Sequence, residues 1–188
     1  MRFFKKVEPV FYALDRLGIS KLYETLSNRW KPHTRLLTTQ EIALARSVFG
    51  DSINYDQVRI DEQARIGTRR YNLCYVSFNT INSWGALSDE LLIHELMHVW
   101  QYQHFGAVYI PRALAAQRSK EGYNYGGVEA LWQAIHTKRN LWDFNYEQQG
   151  DIVADYFRLR QGLAPRWGKA TWVDLQVYEY FVQQLQQY

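Results

Sequence analysis

Residues 91–101 contain two histidines and a glutamate in a spacing that suits metal-assisted hydrolysis. They read LLIHELMHVWQ, so His94, Glu95 and His98 form the pattern H-E-x-x-H. Histidines four residues apart lie on one face of a helix, and both imidazoles can reach a single Zn²⁺ at about 2.0–2.1 Å. Glu95 lies beside the pair and can take a proton from a water that the metal activates. We therefore predict that His94 and His98 bind zinc and that Glu95 is the general base.

The residues around this motif predict a buried helix. Ser88 is a suitable N-cap, and Asp89 and Glu90 place negative charge in the first turn. Apolar residues surround the two histidines on every side. The alternative interpretation is a pair of core histidines that ordinary hydrogen bonds satisfy, although a buried imidazole pair beside a carboxylate still needs compensating partners.

A catalytic zinc needs a third protein ligand, and two residues are candidates for it. His104 follows His98 by six residues, which is the spacing of the metzincin motif H-E-x-x-H-x-x-G-x-x-H. Gln101 stands where that motif has a glycine, and a helix that continues through it would carry His104 about 9 Å along the axis from His98. Neither methionine lies downstream to form a Met-turn. A metzincin-like site that uses His104 is therefore the alternative.

The second candidate is Glu147, in the segment YEQQGDIVADYF. Glu147, Asp151 and Asp155 recur at four-residue steps close to one helical face, where their charges repel unless a cation or donors neutralise them. Glu147 can bind zinc while Asp151 accepts the remaining N–H of a ligating histidine. Gly150 between them allows a close approach of two helices. A solvated acidic face is the competing interpretation, which the apolar residues of the same segment disfavour.

The two motifs together resemble a known family of peptidases. HELMH followed by E-x-x-x-D on a later helix is similar to the gluzincins, in which the late glutamate is the third zinc ligand and the aspartate orients a histidine. From about Leu36 onward, the segments LARSVFGDSI, HELMHVWQYQ and YEQQGDIVADYF resemble the zincin-like metallopeptidase extensions of bacterial type VI secretion spike proteins and related effectors. The resemblance implies that His94, His98 and Glu147 bind zinc and that Glu95 is the base.

Tyrosine and cysteine are further candidates for roles at the site. A developing oxyanion needs a donor, and Tyr125 on the glycine-rich segment 121–127 is our first choice, followed by Tyr123 and then His136. Deformylases also use H-E-x-x-H, with a cysteine ligand on an earlier strand. Cys74 lacks the glycine-cysteine-leucine setting that would support that alternative, and it excludes an internal disulfide because it is the one cysteine of the chain.

The pattern of elements predicts a helix-rich α+β fold in one domain, 1–188, with an N-terminal helical extension, 1–35. The resemblance implies that 36–188 are a zincin-like metallopeptidase core. We expect the following elements: helices at 7–17 and 21–30, divided by Gly18 and closed by Pro32; a helix at 42–49 behind the capping box of 38–41; strands at 57–60 and 71–78; and a linker at 79–85. After the metal helix, which ends at Gly106, come an element at 109–116, helices at 128–139 and 145–159, and a last helix from 171–174 to the C-terminus. A small sheet thus precedes the metal helix, and the C-terminal half is helical.

The sequence predicts a substrate-binding strand edge and a core-packing surface on the N-terminal helices. The strand before the metal helix could offer its edge to an extended peptide substrate. In the N-terminal helices, Phe11, Leu14, Leu17, Leu22 and Leu26 recur at three- and four-residue steps and predict a stripe that faces the core.

Composition limits the partners of the chain. With 188 residues, 47% of them hydrophobic, the chain can bury a sizeable core. A net charge of +3 with scattered basic residues gives no argument for nucleic acid. We find neither a signal peptide nor a run of about 18 apolar residues that would span a membrane. We therefore expect a protein that is cytoplasmic at synthesis. The resemblance to spike-protein extensions implies delivery by a secretion system if the protein acts outside the cell, with a secretion spike or an immunity protein as candidate partners.

Hydrolysis of peptide bonds by a metal-activated water is the activity that these residues favour. The main rival is an interaction protein in which the zincin motif is vestigial or structural. A structural zinc is fully ligated by protein groups, typically cysteines, and this chain has one cysteine. A site with three ligands and an open position therefore indicates catalysis, and we predict a peptidase that acts on peptides or proteins.

Overall fold

The computed structural model describes residues 2–30, 33–65, 68–71 and 73–187. The helices in this part of the chain are α1 (Arg2–Arg16), α2 (Ile19–Trp30), α3 (Thr39–Phe49), α4 (Thr68–Tyr71), α5 (Asp89–Phe105), α6 (Tyr109–Gln117), α7 (Gly127–His136), α8 (Tyr146–Arg160) and α9 (Leu175–Val182). The strands are β1 (Thr34–Leu36), β2 (Arg59–Asp61), β3 (Tyr75–Ser77) and β4 (Thr80–Asn82). The prediction of a helix-rich α+β fold, with a small sheet before the metal helix and a helical C-terminal half, is confirmed.

The four strands form one sheet in the order β1-β2-β4-β3. β2 is antiparallel to β1 and parallel to β4, and β3 pairs with β4 as an antiparallel hairpin. Ile60 on β2 pairs with Ile81 on β4, and both side chains are fully buried. β3 is therefore an outer strand, and it lies against α5.

The predicted strand at 71–78 was wrong in its extent. Its beginning belongs to α4, its middle forms β3, and the chain turns at Phe78, which has φ +61°. The predicted linker that follows contains β4. The predicted strand at 57–60 starts later, as β2, behind a 3₁₀ turn at Tyr55–Gln57. Strands of three residues are too short to show an alternation in sequence, and tertiary pairing decides their bounds.

Capping residues fix the start of two predicted helices. The Thr38 hydroxyl accepts the Glu41 N–H, and the Glu41 carboxylate accepts the Thr38 N–H, so α3 begins with a reciprocal capping box. At the start of α8, the Asn145 side chain accepts the N–H groups of Glu147 and Gln148. Both N-termini are therefore determined locally, as predicted.

The later helices end close to the predicted places. α5 ends before Gly106, which has φ +75°. α7 stops at His136, three residues earlier than predicted, and Lys138 has φ +57°. The last predicted helix is divided into 3₁₀ turns at Trp172–Asp174 and Gln183–Gln187 that flank α9.

The core is centred on α5 and α8. Every residue from Leu92 to Tyr102 on α5 is buried. α5 packs most extensively against α8 and also contacts α3, α6 and the β3–β4 hairpin, while α9 and α6 cover other faces of α8. Two helices that are buried on most of their surface thus form the centre of the fold.

The N-terminal helices form, but their predicted core-facing stripe was wrong in part. α1 and α2 are separated at Gly18, which has φ +70°, whereas Pro32 lies outside the described residues. Phe11 and Leu14 are half-buried, but Leu17 is 73% exposed, Leu22 59% and Leu26 50%. α1 contacts α6 and the 3₁₀ turn before it, which leaves the apolar face of α2 largely uncovered. No helix among the described residues is long and apolar enough to cross a membrane.

Candidate metal centre

Three side chains from α5 and α8 converge in the buried interior. His94 and His98 come from α5, and Glu147 comes from the first turn of α8. The Nε2 atoms of both histidines lie 3.4 Å from the same carboxylate oxygen, Glu147 Oε2. The three potential ligand atoms all lie within 4.8 Å of one another. The structure thus brings together the two histidines of the motif and the predicted third residue in a group that could hold a metal ion.

A glycine lets the two helices approach closely at this point. Gly150 lies on α8, one turn from Glu147, and faces the His94 ring. A Cβ atom built on Gly150 would lie 2.7 Å from His94 Cε1 and 2.9 Å from His94 Nδ1. Contacts that short do not occur between packed groups, so the observed position of His94 requires the absence of a side chain at residue 150. This is the close approach that the sequence predicted.

Each of the three converging side chains is also held by a second group. His94 Nδ1 lies 2.8 Å from Asp151 Oδ1, and His98 Nδ1 lies 2.8 Å from Gln101 Oε1. Gln117 on α6 donates from Nε2 to Glu147 Oε1, at 2.9 Å. The partners therefore engage the far atoms of the two imidazoles and of the carboxylate, which leaves His94 Nε2, His98 Nε2 and Glu147 Oε2 turned toward one another.

Two buried carboxylate oxygens at this place lack a hydrogen bond of normal geometry: Glu95 Oε2 and Glu147 Oε2. Native proteins rarely leave such atoms without a partner. Two atoms bound to one tetrahedral zinc at about 2.0–2.1 Å are separated by about 3.3 Å. The two 3.4 Å distances from Glu147 Oε2 to the histidine nitrogens agree with that separation. The donor set and its spacing therefore fit a zinc ion.

Without a metal, His94, His98 and Glu147 shift one another's pKa values. Burial disfavours a charged imidazole, but hydrogen bonds with Asp151 and Glu147 outweigh it and raise the pKa of His94 to about 10. The pKa of His98 is also raised, against burial, by the charge of Glu147. Burial would raise the pKa of Glu147, yet the two histidines hold it well below its ordinary value. The carboxylate of Glu147 and the two imidazoles thus favour one another's charged forms.

Glu95 lies in the same cavity, but its pKa is raised whereas that of Glu147 is lowered. It is buried, and burial raises its pKa, although the charges of His94 and His98 act in the opposite direction. A bound cation would lower that pKa again. Glu95 is thus placed beside the converging group without taking part in it, as a proton acceptor requires.

Asp151 and Asp155 on α8 anchor the segment that follows this helix. Asp151 Oδ2 accepts the indole N–H of Trp167 at 2.5 Å and lies 3.4 Å from Arg166 Nη1. Asp155 accepts the backbone N–H groups of Arg166 and Trp167. Asp151 therefore holds His94 with one oxygen while its other oxygen is fixed by the loop, as a group that orients a ligand requires.

The two tyrosines of the glycine-rich segment have different surroundings. The Tyr125 hydroxyl, our first choice for the oxyanion donor, donates to Asp155 at 2.6 Å and contacts the Tyr178 hydroxyl at 3.0 Å, deep in the core. Tyr123, our second choice, lines the cavity, and its ring centroid lies 5.9 Å from that of His94. Among the described residues, the cavity lining includes Tyr123 but neither Tyr125 nor His136, which is exposed on α7. The structure therefore favours Tyr123 over Tyr125 for a role at the site.

His104 lies away from the converging group. Its Nε2 atom is 2.8 Å from the carbonyl oxygen of Ser52, and its ring stacks on Trp100 at 4.0 Å. α5 continues without a break through Gln101 to Phe105, so His104 lies on a different face from His98. The group of potential ligands found among the described residues contains Glu147 rather than His104.

The site opens into a cavity of about 700 Å³. One wall is apolar and comes from the residues before β4, from α5 and from α6: Leu73, Val76, Leu91, Ile110, Ala113 and Leu114. The lining also includes Arg158 and Arg166. Cys74 precedes β3, is half-buried, and touches the Glu95 carboxylate.

The outer edge of β3 is partly occupied. The Tyr109 hydroxyl on α6 donates to the Val76 carbonyl at 2.8 Å and accepts the Phe78 N–H at 3.2 Å. These backbone groups are therefore already paired with a side chain. A peptide that adds to β3 would pair on the side of Cys74, next to Glu95.

Sequence reasoning missed two residues of this site, Gln101 and Gln117. Gln101 stands where the metzincin motif has a glycine, and no sequence pattern indicates that its amide contacts His98. Gln117 is thirty positions from Glu147, and their contact depends on how α6 lies against α8. The one available signal for Gln101 is its spacing, since residues three apart are neighbours on a helix surface.

The chain has recognisable relatives. No protein-family model matches it. The type VI secretion system spike protein VgrG2b of Pseudomonas aeruginosa is 33% identical over 135 residues, which are 65% of this chain and 13% of the spike protein. The solved effector domain of Pseudomonas aeruginosa VgrG2b is 32% identical, and the match covers 68% of this chain and 75% of that domain with a TM-score of 0.47. This chain therefore corresponds to a small part of the whole spike protein.

Proposed function

The chain belongs to the family of the VgrG2b effector domain, and we propose that it is a zinc-dependent peptidase of a type VI secretion effector. The observation that carries this proposal is Glu147 Oε2, a buried carboxylate oxygen 3.4 Å from two histidine nitrogens and without a normal hydrogen bond. His94, His98 and Glu147 would hold the metal, which is the ligand set of a gluzincin. Bound zinc would supply an acidified water and a Lewis acid for the scissile carbonyl.

Glu95 would act as the general base in this reaction. Its carboxylate has a buried oxygen with no hydrogen-bond partner among the described residues, so it can accept a proton without breaking an existing bond. After attack on the peptide carbonyl, Glu95 would return that proton to the leaving nitrogen. Tyr123 lines the cavity beside His94 and is the phenol best placed to donate to a developing oxyanion.

The cavity walls support a peptide as the substrate. The apolar wall formed by residues of α5, α6 and the segment before β4 suits an aliphatic or aromatic side chain. β3 offers a strand edge on the side of Cys74, where a backbone can pair next to Glu95. Both features would hold an extended chain across the site, and together with the metal ligands they support a peptide as the substrate.

Metal analysis together with peptide profiling tests the proposal. Purified protein should contain one zinc per chain and cleave members of a mixed peptide library, and a chelator should stop cleavage until zinc is restored. Glu95→Gln should retain zinc but lose about 100-fold to 10,000-fold in turnover, because proton transfer by a positioned base contributes that much. Turnover that survives in Glu95→Gln would remove Glu95 as the base, and absence of zinc from the wild type would refute the proposal as a whole.

We also propose that a secretion system delivers the protein to its target. A domain of this family would reach its target on a secretion spike, and the producing cell would need an immunity protein that covers the cavity. Expression of the chain in the cytoplasm and in the periplasm of a test bacterium, with Glu95→Gln as the inactive control, would show where the substrate lies. Growth inhibition that is equal for wild type and Glu95→Gln in both compartments would contradict a peptidase toxin.

A further inference from the structure

We infer that Gln101 is a positioning residue of the metal centre and that its side-chain amide fixes the orientation and the tautomer of His98. Gln101 is fully buried on α5, one helical turn after His98. Its Oε1 atom lies 2.8 Å from His98 Nδ1. The part of this inference that concerns metal affinity rests on the proposed function, whereas the hydrogen bond itself does not.

The surroundings of Gln101 determine which way its amide points. Gln101 Nε2 lies 3.1 Å from the carbonyl oxygen of Tyr146 and 2.9 Å from Gln149 Oε1. Gln149 in turn donates from its own Nε2 to the carbonyl oxygen of Phe144, at 2.8 Å, so its Oε1 atom must face Gln101. Two acceptors therefore surround Gln101 Nε2, and Gln101 Oε1 is the atom that faces His98.

The hydrogen bonds of Gln101 determine the tautomer of His98. Because Gln101 presents an oxygen, which can only accept, His98 Nδ1 must carry the proton of the hydrogen bond. The Nε2 atom of a neutral His98 then has a lone pair, and it faces Glu147 Oε2 at 3.4 Å. This is the tautomer that a metal ligand through Nε2 requires.

A neutral amide suits this position better than a carboxylate would. Four buried carboxylates already line the cavity: Glu95, Glu147, Asp151 and Asp155. A fifth negative charge at residue 101 would add a further desolvation cost and would face the acceptors Tyr146 O and Gln149 Oε1. Asp151 orients His94 with a charged group, and Gln101 can do the same for His98 without adding charge.

The chain of bonds also links His98 to the helix that supplies Glu147. The carbonyl groups of Phe144 and Tyr146 flank Asn145, the N-cap of α8. Glu147 lies in the first turn of that helix. The backbone that sets the position of Glu147 therefore also sets the orientation of His98, through Gln149 and Gln101. A purely structural role, in which Gln101 only ties α5 to α8, would not depend on the contact with His98.

The imidazole proton of His98 gives a direct readout that does not need the metal. In metal-free protein labelled with ¹⁵N-histidine, we expect a slowly exchanging Nδ1–H signal for His98, because this buried proton is hydrogen-bonded to Gln101. Gln101→Met, which keeps the volume but removes the amide, should lose that protection. Gln103→Met is the matched control, since Gln103 lies on the same helix and bonds to Asn54 and Asn79 instead. It should leave the His98 signal unchanged.

Zinc affinity, measured by competition with a chelator, gives the second readout. Gln101→Met should weaken zinc binding by about 10-fold to 100-fold, as the loss of a partner of a ligating histidine does. Gln149→Met should give a smaller loss, because Tyr146 O still holds the Gln101 amide. Gln103→Met should bind zinc as the wild type does. If Gln101→Met fails to fold, both measurements can use Gln101→Asn instead. Its amide is one methylene further from His98.

The two readouts separate this inference from the proposed function. Unchanged Nδ1–H protection in folded Gln101→Met would overturn the inference, whatever the zinc content. Equal zinc affinity in Gln101→Met and the wild type would overturn the role at the metal. If the wild type binds no zinc, the proposed function fails, and the Nδ1–H measurement still decides whether Gln101 positions His98.

Discussion

Two cavities flank α5, and they differ in how their acidic groups are satisfied. The cavity beside His94 has a volume of about 700 Å³, and two of its buried carboxylate oxygens have no hydrogen-bond partner among the described residues. On the other side, a cleft of about 1260 Å³ lies between α5 and the N-terminal helices. There, Asp15 accepts from Ser20 and the Ala107 N–H, and Glu24 accepts from the Asn79 backbone and side chain.

The comparison shows that cavity size does not distinguish the candidate metal site in this protein. The larger cleft is the more polar of the two, and its acids Asp15 and Glu24 hold elements of the fold together. The smaller cavity contains two buried carboxylate oxygens, Glu95 Oε2 and Glu147 Oε2, that have no hydrogen-bond partner among the described residues. Because unpaired buried polar atoms are costly, they indicate either a ligand or a strained site. The following predictions test whether a metal ion accounts for this difference.

The largest expected effect is the loss of a ligand. Glu147→Ala should lower zinc affinity by more than about 100-fold. This exceeds the loss of affinity that follows when only a hydrogen-bond partner of a metal ligand is removed. Glu24→Ala is the matched control, because it removes a glutamate that accepts hydrogen bonds across the polar cleft. It should lower the temperature of unfolding but retain zinc. Metal analysis and thermal unfolding of both variants check the contrast, and zinc retained by Glu147→Ala would contradict the assignment of the third ligand.

Asp151→Asn should have the next largest effect. An asparagine oxygen can still accept from His94 Nδ1, but it carries no charge to raise the basicity of the imidazole. We expect zinc affinity to fall by about 10-fold to 100-fold. Chelator competition at constant pH measures this loss. An affinity equal to that of the wild type would mean that Asp151 serves only to hold Trp167.

Gly150→Ala tests the close approach of α5 and α8. Alanine favours a helix over glycine by about 1 kcal/mol, so local propensity predicts a more stable α8. The new Cβ would meet the His94 ring at 2.7–3.0 Å, so we expect the ring to move and zinc affinity to fall by about 10-fold, the lower end of the losses seen when a ligand is misdirected. Zinc affinity and metal-free stability, measured side by side, separate the two effects. A variant that gains stability and binds zinc normally would contradict the steric argument.

The smallest effect on the metal is expected at His104, which faces the polar cleft. His104→Ala removes the ring that stacks on Trp100 and bonds to Ser52, and it should leave zinc affinity within about 2-fold of the wild type because it is not a ligand. The same chelator competition is the measurement. A large loss of zinc would favour the metzincin-like alternative over the set completed by Glu147.

Sequence patterns predicted the local parts of the site well. The spacing of His94 and His98 places both on one helical face, and the capping residues Thr38 and Asn145 begin α3 and α8 where predicted. These features depend on hydrogen bonds within a few residues, so a short segment determines them. Strand bounds were predicted poorly, because strands of three residues depend on pairing with distant segments. The exposed stripe of α2 was missed because periodicity shows that a helix has an apolar face but not what covers it.

What the sequence by itself determined is the set of residues that can do chemistry: the motif around Glu95, the acidic helix that contains Glu147, and the glycine between Glu147 and Asp151. Only the tertiary structure decided how they meet. The rotation of α8 against α5 brings Glu147 Oε2 within 3.4 Å of both histidines, and the packing of the glycine-rich segment places Tyr123 rather than Tyr125 at the cavity. The physical reason is that helix periodicity is a local property, whereas the distance between two helices depends on every side chain packed between them.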